Sequence, residues 1–332
     1  MENNISFPSF HNGVVNSIKL NHSCQKIATC GNDYKINIFS FDNIKNNKYN
    51  HPESELINNG HEQSIWDLSF SHPTLGNYLA SCGYDNKLII WKENEMNPSI
   101  YDNIFTYSHQ ASVNCCKFAP HEYGLIVLCG VSDGSISLHE YKKNSNSWIS
   151  QIIDKVHNNG INSIDWAPSI PPINFDDIED NLEYNGNELN PMRFITCGND
   201  NKIHIYKSQN NSINSFIEEI NEENDKGFTF ESTPKSVSFL NYVGYAYLTF
   251  AVGFEDGKCL IYKYDNDNSW KIKFEINLNC PIIKVSWSSN GTYLGISCLN
   301  NNEQIRFFKE NMDEKFIEVK KNQIFKLVNL YI

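Results

Sequence analysis

His61, Ser81 and Asp85 are the residue types of a hydrolytic triad: a carboxylate that orients an imidazole, and an imidazole that takes a proton from a hydroxyl nucleophile. Their spacing argues against that chemistry, because the His–Asp core recurs. His11 pairs with Asp33, His61 with Asp85, His109 with Asp133 and His157 with Asp200. The first three separations are 22, 24 and 24 residues, and successive histidines are 50, 48 and 48 apart. Thr29 and Thr196 stand where Ser81 does in the second copy. An active site occurs once in a chain, whereas this set appears in graded copies. No catalytic, cofactor-binding or metal site is expected from it.

Tandem copies imply one repeated supersecondary unit, and a period of roughly 40–50 residues with this signature is that of WD-repeat propellers. In such repeats the Asp accepts hydrogen bonds from the His and from turn amides. The His bonds the hydroxyl residue, which in turn reaches an indole N–H. Only His61, Ser81, Asp85 and Trp91 make the full set. The first copy ends at Phe39 and the fourth at Tyr206, while His109 and Asp133 lack both hydroxyl and Trp.

Each unit reads as four strands. Ile65–Phe70 alternates as a strand does, Tyr78–Cys82 is a small-residue strand, and Gly83–Asn86 is a tight turn. Lys87–Trp91 and Ile104–Tyr107 complete the blade. The expected domain is a single all-β propeller over 1–332. Its blades span 11–59, 60–107, 108–156, 157–221 (with an acidic, Asn-rich insertion at 169–191), 222–278 and 279–321. The last two are degenerate. The fifth has lost its His, and the sixth has Asn302 at the Asp position.

The net charge of −12 and pI near 5.3 argue against a nucleic-acid partner, which needs a basic stripe. No apolar run nears the ~20 residues of a membrane span, so membrane association is expected only through partners. Cys30, Cys82 and Cys197 each precede the repeat's Asp by three residues. They read as buried fillers in a reducing compartment.

Strand counting points to function. The segment before each unit's His is the outer strand of the preceding blade, so Ile5–Phe10 would belong to a blade before the first. The sixth unit carries its own outer strand, Lys315–Val319. With both present, six blades leave a slot for a seventh, to be filled by a partner's strands. Ile5, Phe7 and Phe10 are the expected partner contacts. The alternative is a closed WD-repeat adaptor or peptide receptor, such as one in a ubiquitin ligase.

The run from His72 to Trp91 (His-Pro-x-x-Gly-Asn-x-Leu-Ala-Ser-Cys-x-Tyr-Asp-x-Lys-x-Ile-Ile-Trp) resembles the small WD-repeat subunit of the COPII outer coat, the Sec-thirteen family. Phe118-Ala119-Pro120-His121-Glu122-Tyr123-Gly124 and Trp166-Ala167-Pro168-Ser169 carry the same resemblance. It implies an open six-bladed propeller without enzymatic activity, acting in ER-to-Golgi transport. The implied partners are the large helical coat subunit and a helical nucleoporin of the nuclear pore Y-complex, each donating a seventh blade. The implied locations are cytoplasmic, at endoplasmic reticulum exit sites and COPII vesicles, and the nuclear pore.

Overall fold

A computed structural model of the chain describes residues 9–40, 55–57, 60–98, 100–169, 189–219, 227–241, 247–265, 269–299 and 305–319. The described residues form six antiparallel sheets, each a meander of consecutive strands. Two compact units result, one ending at Ile161 and one beginning at Asn162.

The first unit holds three four-stranded blades. Blade one comprises β1 (Val15–Leu20), β2 (Lys26–Gly31), β3 (Ile36–Ser40) and β4 (Glu55–Ile57). Blade two comprises β5 (Ile65–Phe70), β6 (Tyr78–Gly83), β7 (Lys87–Glu93) and β8 (Tyr101–Ser108). Blade three comprises β9 (Val113–Phe118), β10 (Ile126–Val131), β11 (Ile136–Lys142) and β12 (Ser147–Ile153). The middle strands read as near-continuous apolar runs because both their faces are buried. In blade two, Leu79 and Ile89 pack toward Ile36 and Ile38 of blade one. Their neighbours Ala80, Cys82, Leu88 and Ile90 pack toward Val113, Cys116 and Val127 of blade three.

The second unit is built alike. Blade four contains β13 (Ile161–Trp166), β14 (Arg193–Gly198), β15 (Lys202–Ser208), β16 (Phe216–Glu218) and β17 (Phe228–Thr229). Both β16 and β17 pair with β15, so this blade's outer edge is made in two pieces. Phe228 and Thr229 thus add to the fourth sheet, although repeat counting starts the fifth unit at 222. Blade five is β18 (Pro234–Phe239), β19 (Thr249–Phe254), β20 (Lys258–Tyr264) and β21 (Trp270–Asn277). Blade six is β22 (Ile282–Trp287), β23 (Tyr293–Cys298), β24 (Ile305–Glu310) and β25 (Phe316–Val319). Its outer position is filled by β25, paired to β24 from Phe316 to Val319.

One turn recurs between the second and third strands. The residue after the turn Asp is left-handed in five blades: Tyr34, Asn86, Gly134, Asn201 and Gly257. Asn and Gly suit that conformation. At Gly134 a Cβ would lie 2.0 Å from the His157 carbonyl oxygen, so only glycine fits. The preceding Asp side chain accepts the backbone N–H two residues on, as at Asp33–Lys35, Asp85–Lys87, Asp133–Ser135, Asp200–Lys202 and Asp256–Lys258. This local bond explains why the Asp persists where its His is absent.

Most of the expected strand Ile5–Phe10 falls outside the described residues. Residues 1–8 lie outside the described residues, Ile5 and Phe7 among them. Ser9 and Phe10 are not strand, and Phe10 is left-handed at φ 56°. The insertion at 170–188, Asn302 and residues 320–332 also lie outside the described residues.

Candidate functional site

In blade two the polar residues form one directed chain. The Trp91 indole N–H can only donate, and it meets Ser81 Oγ at 2.9 Å. The Ser81 hydroxyl therefore gives its own proton to His61 Nε2, 2.7 Å away. That leaves His61 Nδ1–H to donate to Asp85, whose carboxylate oxygens lie at 2.9 and 3.0 Å. The Asp85 carboxylate also accepts from the Glu62 backbone N–H at 3.1 Å. Burial pushes the Asp85 carboxyl up, but the hydrogen bonds from His61 and the turn amides outweigh it and hold the group below its ordinary range. Ser81 is fully buried. The chain ties β6, β7 and the turn between them to the segment that leads into β5.

Blade one repeats the pattern without the indole. His11 Nδ1 lies 2.8 Å from Asp33 and its Nε2 2.9 Å from Thr29 Oγ1. Asp33 is shifted down as Asp85 is: burial opposes ionisation, and the bonds from His11 and the Asn12 N–H prevail.

Blade three departs from it. His109 and Asp133 do not meet; Asp133 instead binds the Ser135 hydroxyl and N–H. The hydroxyl that sequence spacing found missing is supplied by Ser137, on β11, at 2.8 Å from His109 Nε2. Ser137 also bonds His139 Nε2 at 2.9 Å, and His139 Nδ1 meets Ser150 Oγ at 2.8 Å. One proton order satisfies every link: Ser150 donates to His139, His139 to Ser137, Ser137 to His109, and His109 Nδ1–H to the Asn86 carbonyl at 3.3 Å. Both rings are neutral in that order. Burial favours the neutral form, lowering the His109 pKa and taking His139 down to about 3. His139 stands six residues after Asp133, as Trp91 does after Asp85. An imidazole there was a readable signal of a replacement partner.

The fourth set divides between the units. In the first, buried His157 donates its backbone N–H to Gly134. In the second, Thr196 is fully buried on β14 and Asp200 holds its turn through Lys202.

Phe10 does not stand free for a partner. Its ring stacks on Phe39 at 6.2 Å and packs on Ile27. Exposed apolar side chains are found on β1, with Val15, Ile18 and Leu20 exposed by 37%, 62% and 51%. Ile18 occupies the fourth position of its strand. The same position in the other inner strands is Leu68 at 0%, Cys116 at 1%, Ile164 at 5%, Val237 at 4% and Val285 at 2%. Sequence reading passed over this face, because an apolar residue at a core position gives no sign that its cover is missing.

Six such blades, with a His–Ser–Asp–Trp chain in the best-formed one, define a WD-repeat β-propeller. The family model described as WD domain, G-beta repeat matches residues 53–92 and 102–140. The chain is 33% identical over 325 residues to Protein transport protein SEC13-2 of Candida glabrata, covering 95% of this chain and 99% of that protein. It is 29% identical to Protein SEC13 homolog of Drosophila melanogaster over 93% of this chain and 81% of the relative. The chain belongs to the SEC13 family of WD-repeat proteins. A chain in the crystal structure of the mitotic checkpoint complex shares the fold, with a TM-score of 0.61 at 15% identity, over 89% of this chain and 74% of that one.

Proposed function

We propose that this chain is a non-enzymatic scaffold subunit of the COPII outer coat and of the nuclear pore scaffold. It works by seating a blade donated by a large helical partner against β1. The observation that carries this reading is Ile18, exposed by 62% at a position otherwise buried to 5% or less. Burying apolar surface contributes about 25 cal/mol per Å², so the exposed Ile18 and Leu20 side chains favour a partner. The sixth blade owns its outer strand, β25, which supports donation of a whole blade rather than closure by the first residues of the chain. Family membership and the protein-transport names of the relatives support the coat role. Membrane contact is then indirect, through the coat, and no nucleic acid takes part.

The test is co-purification from the native cell with an Ile18→Asp, Leu20→Asp variant. Both side chains are exposed, so the fold tolerates the change. A stoichiometric large helical partner should accompany the unaltered chain and be lost from the variant. Retention at full stoichiometry overturns the reading.

A further inference from the structure

Neighbouring blades in each unit are joined by a repeated set of polar contacts between inner strands. Three positions of an inner strand can serve the next, and β13 uses all three toward β18. An Asn at position two donates to the carbonyl at position one of the following strand: Asn16 to Ile65 at 2.8 Å, Asn114 to Ile161 at 2.9 Å, and Asn162 to Pro234 at 3.0 Å. A register shift skips this residue in β1 and β9, a bulge that re-aims the side chain. A Ser at position three accepts the N–H at position four: Ser163 from Val237 at 3.3 Å and Ser236 from Val285 at 3.2 Å. A Ser or Asp at position five accepts the N–H at position six: Ser69 from Phe118 at 3.0 Å, and Asp165 from Phe239 at 2.8 Å.

The same groups on β1 are the Val15 carbonyl and the Ile18 and Leu20 N–H groups. No side chain of the described residues grips any of them. Their residues are also the exposed ones. The uncovered face is therefore a hydrogen-bond template as well as an apolar one.

We propose that β1 selects its donated blade by this pattern. The partner's innermost strand carries Asn at its second position, Ser at its third and Ser or Asp at its fifth, which bind the Val15 carbonyl, the Ile18 N–H and the Leu20 N–H. The proposal rests on the blade-donation reading and names the chemistry of the partner strand. Apolar burial holds the donated blade, and the clasp sets its register. A strand slipped by one residue would aim these side chains away and leave polar groups on β1 buried without partners.

The experiment fuses a second copy of blade two, residues 60–108, ahead of Met1 of the full chain. This copy carries Ser69 at position five. Amide hydrogen exchange is read at Leu20 in the unfused chain, the fused chain, and a fused chain whose copy carries Ser69→Ala. Expected is a slowing of at least ~10-fold at Leu20 on fusion, of which the Ala copy forfeits roughly fivefold, the worth of one ordinary hydrogen bond. A copy carrying Ser69→Thr should restore it. Equal slowing by the Ser and Ala copies overturns the clasp and leaves blade donation standing. No slowing by any copy overturns blade donation and the clasp with it.

Discussion

Ser137 lies directly opposite Cys129 in the third blade, the pairing that sets Ile89 opposite Ser81 in the second. The hydroxyl that serves the repeat histidine has changed strands. His109 reaches across to β11 for a group that His61 finds on β6. The two positions share a cross-strand pair, so either can place an oxygen near the ring. What persists between blades is the bonding of the His, and which residue supplies it can change.

Ser81→Ala should destabilise the chain by about 2–4 kcal/mol. It leaves the His61 Nε2 and the Trp91 N–H buried without partners, and each such loss costs about 1–3 kcal/mol. Asp133→Asn, which touches only a surface turn, should cost under about 1 kcal/mol. Urea unfolding of both variants checks the contrast.

Stability should fall as the pH drops below about 6.5. His139 is held neutral with its pKa near 3, and His109 is lowered as well. Below the ordinary histidine value the unfolded chain binds protons that the folded chain refuses, at up to about 1.4 kcal/mol per pH unit for each ring. The loss at His139 runs from pH 6.5 down to about 3. Asp33 and Asp85 act in a lower window. Their depressed values contribute stability above the ordinary carboxylate value of 3.8, which is lost as the pH falls through the folded values. Denaturant midpoints at pH 7, 5.5 and 4.5 should decline, and His139→Gln should flatten that decline.

Tyr34→Asn should stabilise the first blade. Tyr34 is left-handed at φ 65°, where blades two and four use Asn86 and Asn201. Its side chain is half exposed, so little packing is lost. Relief of the left-handed strain is worth up to about 1 kcal/mol, which a thermal melt can register.

Native thiol labelling should modify one cysteine, Cys24. It is exposed, and the other nine are buried and outside any disulfide. Burial pushes the Cys259 thiol up to about 12, far from the thiolate that reacts. Labelling in denaturant should reach all ten.

Much of the fold was legible because a repeat writes the same local physics several times. Asp85, Asn86 and the Cys82–Gly83 pair specify a turn from neighbouring residues alone, and spacing then carries that turn to the other blades. The polar chain of blade two was legible for the same reason. Ser137 was not, since it replaces a residue eight positions away in sequence that is adjacent only once β10 and β11 pair.

The sequence by itself determined the number of blades, their Asp-led turns and the His61–Ser81–Asp85–Trp91 chain, all products of short-range pattern. The tertiary structure alone decided which apolar residues are covered. Ile18 and Leu68 sit at the same place in the same pattern, yet one is exposed by 62% and the other is fully buried. Burial depends on whether another sheet lies against that face, and no local pattern within the strand records whether one does.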